Sequence, residues 1–226
     1  MYSELMRADC SGGTLAFVAG CCSTDYRRMF NRRFAARDAR DFRERGVHGT
    51  ARTLVDLAGD VGGETVLDVG GGVGAIGFEL LDRGASQATT VELSSAYDGE
   101  ANALARERGV EGRVERRVGD FVAEPAPPHD VVVLHRVVCC YPDLDALMDA
   151  AAASTRRVLV LTYPQERVFV RIGLRFVNLY LALRRCGFRT YAHPVARILA
   201  DRHGLHLGAR VRDGLLWESA ALERYV

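Results

Sequence analysis

Lysine is missing from this 226-residue chain, and all 30 of its basic residues are arginine, against 29 Asp and Glu. The bias reads as that of a GC-rich coding sequence rather than a demand for guanidinium chemistry at every position. A net charge of +1 leaves no broad positive field, which argues against a general nucleic-acid binder. No apolar run approaches the roughly 20 residues that cross a bilayer. The short patch Thr14–Gly20 follows Glu4 and Asp9 and makes a poor signal peptide. The expectation is a cytoplasmic protein whose six cysteines are mostly reduced. Internal repeats, coiled-coil heptads and a C-x₂-C zinc signature are also absent from the sequence.

What is present is an ordered alternation. Residues 25–45 are arginine-rich and helical in pattern, with Phe30, Phe34 and Phe42 as an apolar stripe and Gly46 as a stop. His48–Ala58 reads as a second helix. From residue 65, strands and helices alternate: Thr65–Val69, helix Ala75–Asp82, Ala88–Glu92, helix Ala96–Arg108, and Gly112–Val118. After a proline-rich linker at Glu124–Pro128 come His129–His135, helix Leu144–Ala153, Arg157–Thr162, the long helix Val168–Arg185 and helix Pro194–His203. Apolar strands separated by helices imply a parallel sheet covered on both faces. Two last β-like runs, Leu205–Val211 and Leu215–Leu222, flank Asp213-Gly214 and imply a terminal hairpin. The chain divides into an N-terminal segment and helical lid, 1–47, and an α/β domain, 48–226.

The most informative stretch is Val66–Gly77. Asp68, Gly70, Gly72 and Gly74 form D-x-G-x-G-x-G between a buried strand and a helix, and Gly71 lies inside the loop. Glycine permits the unusual φ values of such a turn and lets a ligand approach the backbone over a helix N-terminus. A dinucleotide fits the glycines alone, but Asp68, two residues before the first glycine, would repel a pyrophosphate. A carboxylate there suits a ligand carrying an ammonium group. Glu92, 24 residues beyond Asp68, ends the second strand, where it can accept both hydroxyls of a ribose. At the end of the third, Asp120 can accept an adenine amino hydrogen while Phe121 or Val122 packs on the ring. The fourth strand delivers His135 and Arg136 to the carboxyl edge of the sheet.

These motifs, with Val91-Glu92-Leu93-Ser94 and Val131–Pro142, make the chain resemble the class I S-adenosylmethionine-dependent methyltransferases over roughly residues 50–222. The resemblance implies a Rossmann-like α/β fold of seven strands, mostly parallel, the last antiparallel between strands five and six. It implies S-adenosylmethionine as cofactor, held by Asp68, Gly70, Gly71, Gly72, Gly74, Glu92, Leu93, Asp120, Phe121 and His135. The lid and the loop after strand four are also similar to magnesium-protoporphyrin O-methyltransferases. Met29-Phe30-Asn31 stands where those have Tyr-Phe-Asn, and Cys140-Tyr141-Pro142 where they have His-Tyr-Pro. The bland alternative is a Rossmann-like fold without activity.

A sulfonium methyl is already activated, so such an enzyme mainly supplies placement and a dry site. His135 is the candidate base for a poorly ionised acceptor. Arg43, Arg136, Cys139, Cys140 and Tyr141 are the candidate acceptor-binding residues, with Arg43, Arg45 and Arg136 suited to a carboxylate. His129 reads as structural. The expected acceptor is a small molecule methylated at oxygen, with no nucleic-acid partner and no stable membrane insertion; a homodimer is allowed for. Two rival readings remain. One is thiol or metalloid methylation using Cys21-Cys22 and Cys139-Cys140; no resident metal is expected. The other is a non-catalytic, cofactor-binding subunit of a methylating complex. Helix Val168–Arg185 has the basic amphipathic pattern of a membrane-surface helix, and the expectation is that it packs on the sheet and covers the substrate.

Overall fold

The computed structural model of the chain describes residues 26–225. A helical turn at residues 26–29 and two longer helices, α1 (Arg32–Arg45) and α2 (Thr50–Leu57), precede the sheet. The sheet strands and their helices then follow as β1 (Thr65–Val69), α3 (Ala75–Asp82), β2 (Gln87–Glu92), α4 (Asp98–Glu107), β3 (Val114–Val118), β4 (His129–Leu134), α5 (Leu144–Ala153) and β5 (Thr155–Pro164). The chain continues through α6 (Val168–Leu183), the short α7 (Val195–Ile198), β6 (Leu205–Asp213) and β7 (Trp217–Arg224).

The seven strands lie in the order β3-β2-β1-β4-β5-β7-β6. β1 through β5 are parallel, while β7 runs antiparallel to both β5 and β6. The expected last strand between the fifth and sixth is therefore present. β1 and β4 are neighbours although β2 and β3 intervene in sequence, so the strand order reverses between them. A ligand crevice opens at such a reversal, beyond the carboxyl ends of the strands.

Each face of the sheet has its own core. Leu54, Ile76, Phe78, Val131 and Val133 lie in one; Leu67, Val132, Leu134, Met148 and Leu159 in the other. The alternation of Val131, Val132 and Val133 between the two is the period-two geometry of a strand buried on both sides. The helices α1, α2, α3 and α4 cover the first face, where Ala35, Ala39 and Phe42 of α1 are buried and Phe42 stacks on Phe78 at 5.9 Å.

Several expected boundaries move. Residues 26–29 are helical, the chain bends at Phe30, and Asn31 caps α1, its side chain accepting from the Arg33 N–H at 2.9 Å, so the expected helix is in two pieces. The helix expected from Ala96 is split: Ser94 opens a 3₁₀ turn, Ser95–Tyr97, before α4 begins. The helix expected over Pro194–His203 is only the single turn α7. α6 was expected to pack on the sheet, yet only Val170 and Leu181 in it are buried. His129 is buried between the Pro127 carbonyl (2.7 Å) and the Thr89 hydroxyl (3.1 Å), a structural position.

Candidate active site

The glycine loop joins β1 to α3. Gly70, Gly72 and Gly74 have φ of 64°, 56° and 86°, the left-handed region that glycine enters at little cost. Gly71 has an ordinary φ but no room: a Cβ there would lie 2.3 Å from Oδ2 of Asp68. The loop is thus folded down over the Asp68 carboxylate.

Asp68 is buried, and neither carboxylate oxygen has a hydrogen-bond partner. Burial raises its pKa to about 7, with Arg116 pulling it down and Glu92 pushing it up. A buried, unsatisfied carboxyl is costly in a folded protein unless a ligand completes it. Glu92 is better provided for, accepting from the N–H of Gly72 (3.1 Å) and of Ser94 (2.9 Å). Burial still raises its pKa, while the two amides oppose the shift. Two acids at the carboxyl ends of adjacent strands suit a polar, cationic ligand.

Around them lies one continuous cleft with two lobes. The first is lined by Asp68, Gly70, Gly71, Gly72, Glu92, Tyr97 and Thr50, beneath Asp38 and Phe42 of α1. The second is lined by Leu93, Asp120, Phe121, Val122, Val137, Cys140, Tyr141, Phe188, Arg189 and Tyr191. Tyr26, Phe30, Gly70, His135 and Arg136 belong to both lobes and form the waist. Of the residues singled out in sequence, Asp68, Gly70, Gly71, Gly72, Glu92, Leu93, Asp120, Phe121, His135, Arg136, Cys140 and Tyr141 meet at this cleft. Gly74 lies just behind it, as the residue that caps α3.

The remaining expectations fall elsewhere. Arg43 points away from the cleft and forms a two-pronged pair with Glu107 of α4, both contacts at 2.8 Å, because it lies on the outer side of α1. Arg45 pairs with Asp41 on the same helix. Cys139 is buried behind the cleft wall with its Sγ 3.6 Å from that of Cys140, and Cys140 alone lines the cleft. Cys21 and Cys22 lie outside the described residues, within which no group of three or more His, Cys, Asp or Glu is placed to hold a metal ion.

His135 and Arg136 share one hydroxyl. The Thr50 oxygen accepts from Arg136 Nη2 at 3.3 Å and lies 2.9 Å from His135 Nε2. The Thr50 hydroxyl has one proton and two lone pairs, so it can accept from Arg136 and still bond His135 Nε2 in either tautomer of the ring. Burial, then the Arg136 charge, lowers the His135 pKa to about 3, so the ring is neutral at any ordinary pH. Arg136 has φ of 58°, in the left-handed region that a non-glycine residue rarely adopts. Its N–H donates to Thr162 Oγ1 at 2.7 Å, and its guanidinium stands 5.1 Å from the Trp217 ring centre. Such strain persists where the surroundings over-determine it, commonly at ligand sites.

Several cleft residues carried no sequence signal of their own. Thr50 sits in an unremarkable helix turn. Phe188 and Tyr191 follow α6 from far along the chain, and Tyr97 belongs to the unexpected 3₁₀ turn. Ser94 and Tyr97 tie down the N-terminal segment: Ser94 donates to the Phe30 carbonyl (2.7 Å) and Tyr97 to Asp38 (3.3 Å). Tyr26 faces Glu92, and burial followed by that charge raises its phenol well above its ordinary range.

Residues 66–160 match the family model of the methyltransferase domain, a span that holds the glycine loop, Glu92, Asp120 and His135. By that match, this span is a methyltransferase domain. Among solved structures, the methyltransferase is similar to magnesium protoporphyrin IX methyltransferase from Synechocystis PCC 6803 with bound S-adenosylhomocysteine. The two share 22% identity over 90% of this chain and 100% of that one, with a TM-score of 0.69. It is also similar to geranyl diphosphate C-methyltransferase from Streptomyces coelicolor A3(2) (20% identity, 78% of this chain and 77% of that one, TM-score 0.61). No curated protein matches the chain. The methyltransferase is an enzyme whose methyl donor is S-adenosylmethionine. The orphaned Asp68 carboxylate under the glycine loop fits the donor's ammonium group.

Proposed function

We propose that this enzyme methylates a small, apolar or aromatic acceptor at an oxygen that is already ionised near neutral pH, such as a carboxylate. In this reading Asp68 and Gly70–Gly74 hold the methionine end of the donor. Glu92 and Leu93 flank the ribose, and Asp120 and Phe121 the adenine. The acceptor then enters the second lobe, between Phe30, Tyr141, Phe188 and Tyr191.

The observation that carries this reading is the Arg136–Thr50–His135 chain at the waist. It brings a fixed cation and a neutral imidazole to the waist of the cleft. An imidazole whose pKa is lowered to about 3 by burial and by the Arg136 charge takes a proton poorly. We therefore assign His135 a positioning role toward the acceptor or the donor's carboxylate, in place of the base considered from sequence. A carboxylate needs no base: its oxygen displaces the sulfonium in line, and S-adenosylhomocysteine leaves neutral at sulfur. The apolar wall keeps water away and lowers the dielectric around the reacting pair.

The test is a panel of apolar carboxylates, phenols, alcohols and thiols incubated with methyl-labelled S-adenosylmethionine. Label should appear on carboxylates as an alkali-labile ester, with a flat rate between pH 6 and 8 when the methyl donor is saturating. Label confined to thiols, and lost in Cys140→Ser, would overturn the oxygen reading in favour of soft-atom methylation. Tight donor binding with no turnover across the panel would favour the non-catalytic subunit.

A further inference from the structure

Helix α6 carries an apolar stripe that the fold does not use. Phe169, Ile172, Phe176, Leu179, Tyr180 and Leu183 recur at the spacing of one helical face, and all six are exposed, Phe176 by 67% and Leu183 by 76%. Val170 and Leu181, the buried pair, lie on the opposite side. The helix is therefore apolar on two faces, only one of which meets the protein. A contiguous exposed apolar surface of this kind marks a contact with something else.

Its charge says with what. From Arg167 to Ala200 there are seven arginines and no Asp or Glu, in a chain whose net charge is only +1. Arg171 and Arg175 flank the stripe on one side, Arg171 pairing with Glu166 at 2.7 Å and Arg175 having no ion pair among the described residues. Arg167 stands over the Phe169 ring and Arg184 over that of Tyr180, at 5.8 and 5.9 Å from the centres. Two copies pairing through this face would bring arginines against arginines, with Glu166, already paired to Arg171, the nearest carboxylate to offset them. An anionic surface with an apolar interior satisfies both the stripe and its flanks. No helix among the described residues is long and apolar enough to cross a membrane, so the contact would be parallel to the surface.

We propose that α6 docks this enzyme on an anionic lipid bilayer, with the stripe at the acyl boundary and the flanking arginines among the headgroups. The docked helix is coupled to the cleft. Asn178 donates to the Thr190 carbonyl and accepts from its N–H, both at 2.8 Å. Gly187, Phe188, Arg189 and Tyr191, around that anchor, line the acceptor lobe. Docking therefore sets the mouth of that lobe against the lipid, where an apolar acceptor partitions. The inference rests on the helix and its charge, not on which atom is methylated.

The experiment is co-sedimentation of the full chain with vesicles of phosphatidylcholine alone or mixed equally with phosphatidylglycerol. Binding should be at least tenfold stronger to the mixed vesicles and should fall at high salt. Phe176→Asp with Leu179→Asp should abolish it while S-adenosylhomocysteine still binds, since neither side chain touches the cleft. Arg171→Glu with Arg175→Glu should weaken it about tenfold. The proposal is overturned if the wild-type chain stays in the supernatant with both vesicles. It is equally overturned if the stripe variant leaves vesicle binding intact. A dimer in sedimentation velocity that the stripe variant dissolves, without lipid binding, would make a second copy the occupant instead.

Discussion

Asp68 sets the sharpest residue-scale expectation, because it is a liability without its ligand. Its pKa is raised from 3.8 to about 7. The folded state then binds a proton more tightly than the unfolded chain. That contribution to stability is whole below about pH 4 and is lost as the pH rises through 7. Asp68→Asn removes the titration. Thermal melts of the unliganded protein at pH 8 should rise by a few degrees relative to wild type, and calorimetry should show S-adenosylhomocysteine affinity reduced at least tenfold. His135 works with the opposite sign. Its folded pKa near 3 lies below the ordinary 6.5, so it favours the fold above pH 6.5 and opposes it as the pH falls. Asp68 was legible in sequence because a carboxylate beside a glycine turn has few structural uses. Arg43 was not: on a helix with arginines on every side, spacing does not say which one turns inward, and α4 supplied Glu107 to hold it outside.

At the scale of elements, two hydroxyls tie the N-terminal segment to the turn after β2, beside the Arg43–Glu107 pair that holds α1 to α4. Ser94 and Tyr97 each offer one hydroxyl to the N-terminal segment. Replacing them singly, Ser94→Ala and Tyr97→Phe, should each cost about 1 kcal/mol. Hydrogen exchange should show this as faster exchange in α1, with the β4 and β5 amides unchanged. The 3₁₀ turn that carries Tyr97 was hidden because Ser94 caps it with its own side chain, and side-chain bonds of that kind override helical periodicity. The sheet strands were easy to place, since apolar runs between glycines and prolines have few other uses. α6 was easy to find and hard to place. Periodicity reveals that a helix has an apolar face but not that it has two, one of them turned to solvent.

For the molecule as a whole, the order β5-β7-β6 makes the C-terminal strand an interior one. Ala220, Ala221 and Leu222 of β7 are buried, and the strand is hydrogen-bonded on both edges. A chain ending at Leu216 would leave β5 and β6 unpaired, with an apolar gap between them. It should show no cooperative unfolding transition by circular dichroism, although it retains every cleft residue discussed except the Trp217 beneath Arg136. The seven-strand topology itself was legible only through the resemblance of the motifs. Nothing in the run Leu215–Leu222 says that it inserts between two strands rather than adding to an edge.

The same strand has a consequence for synthesis. The donor-binding half of the enzyme, β1 through β4, emerges from the ribosome early, with its acids and glycines in place. Its sheet cannot close until residues 217–224 have followed. An enzyme built this way cannot begin work while still being made, and a transcript cut slightly short yields an unfinished sheet rather than a truncated catalyst.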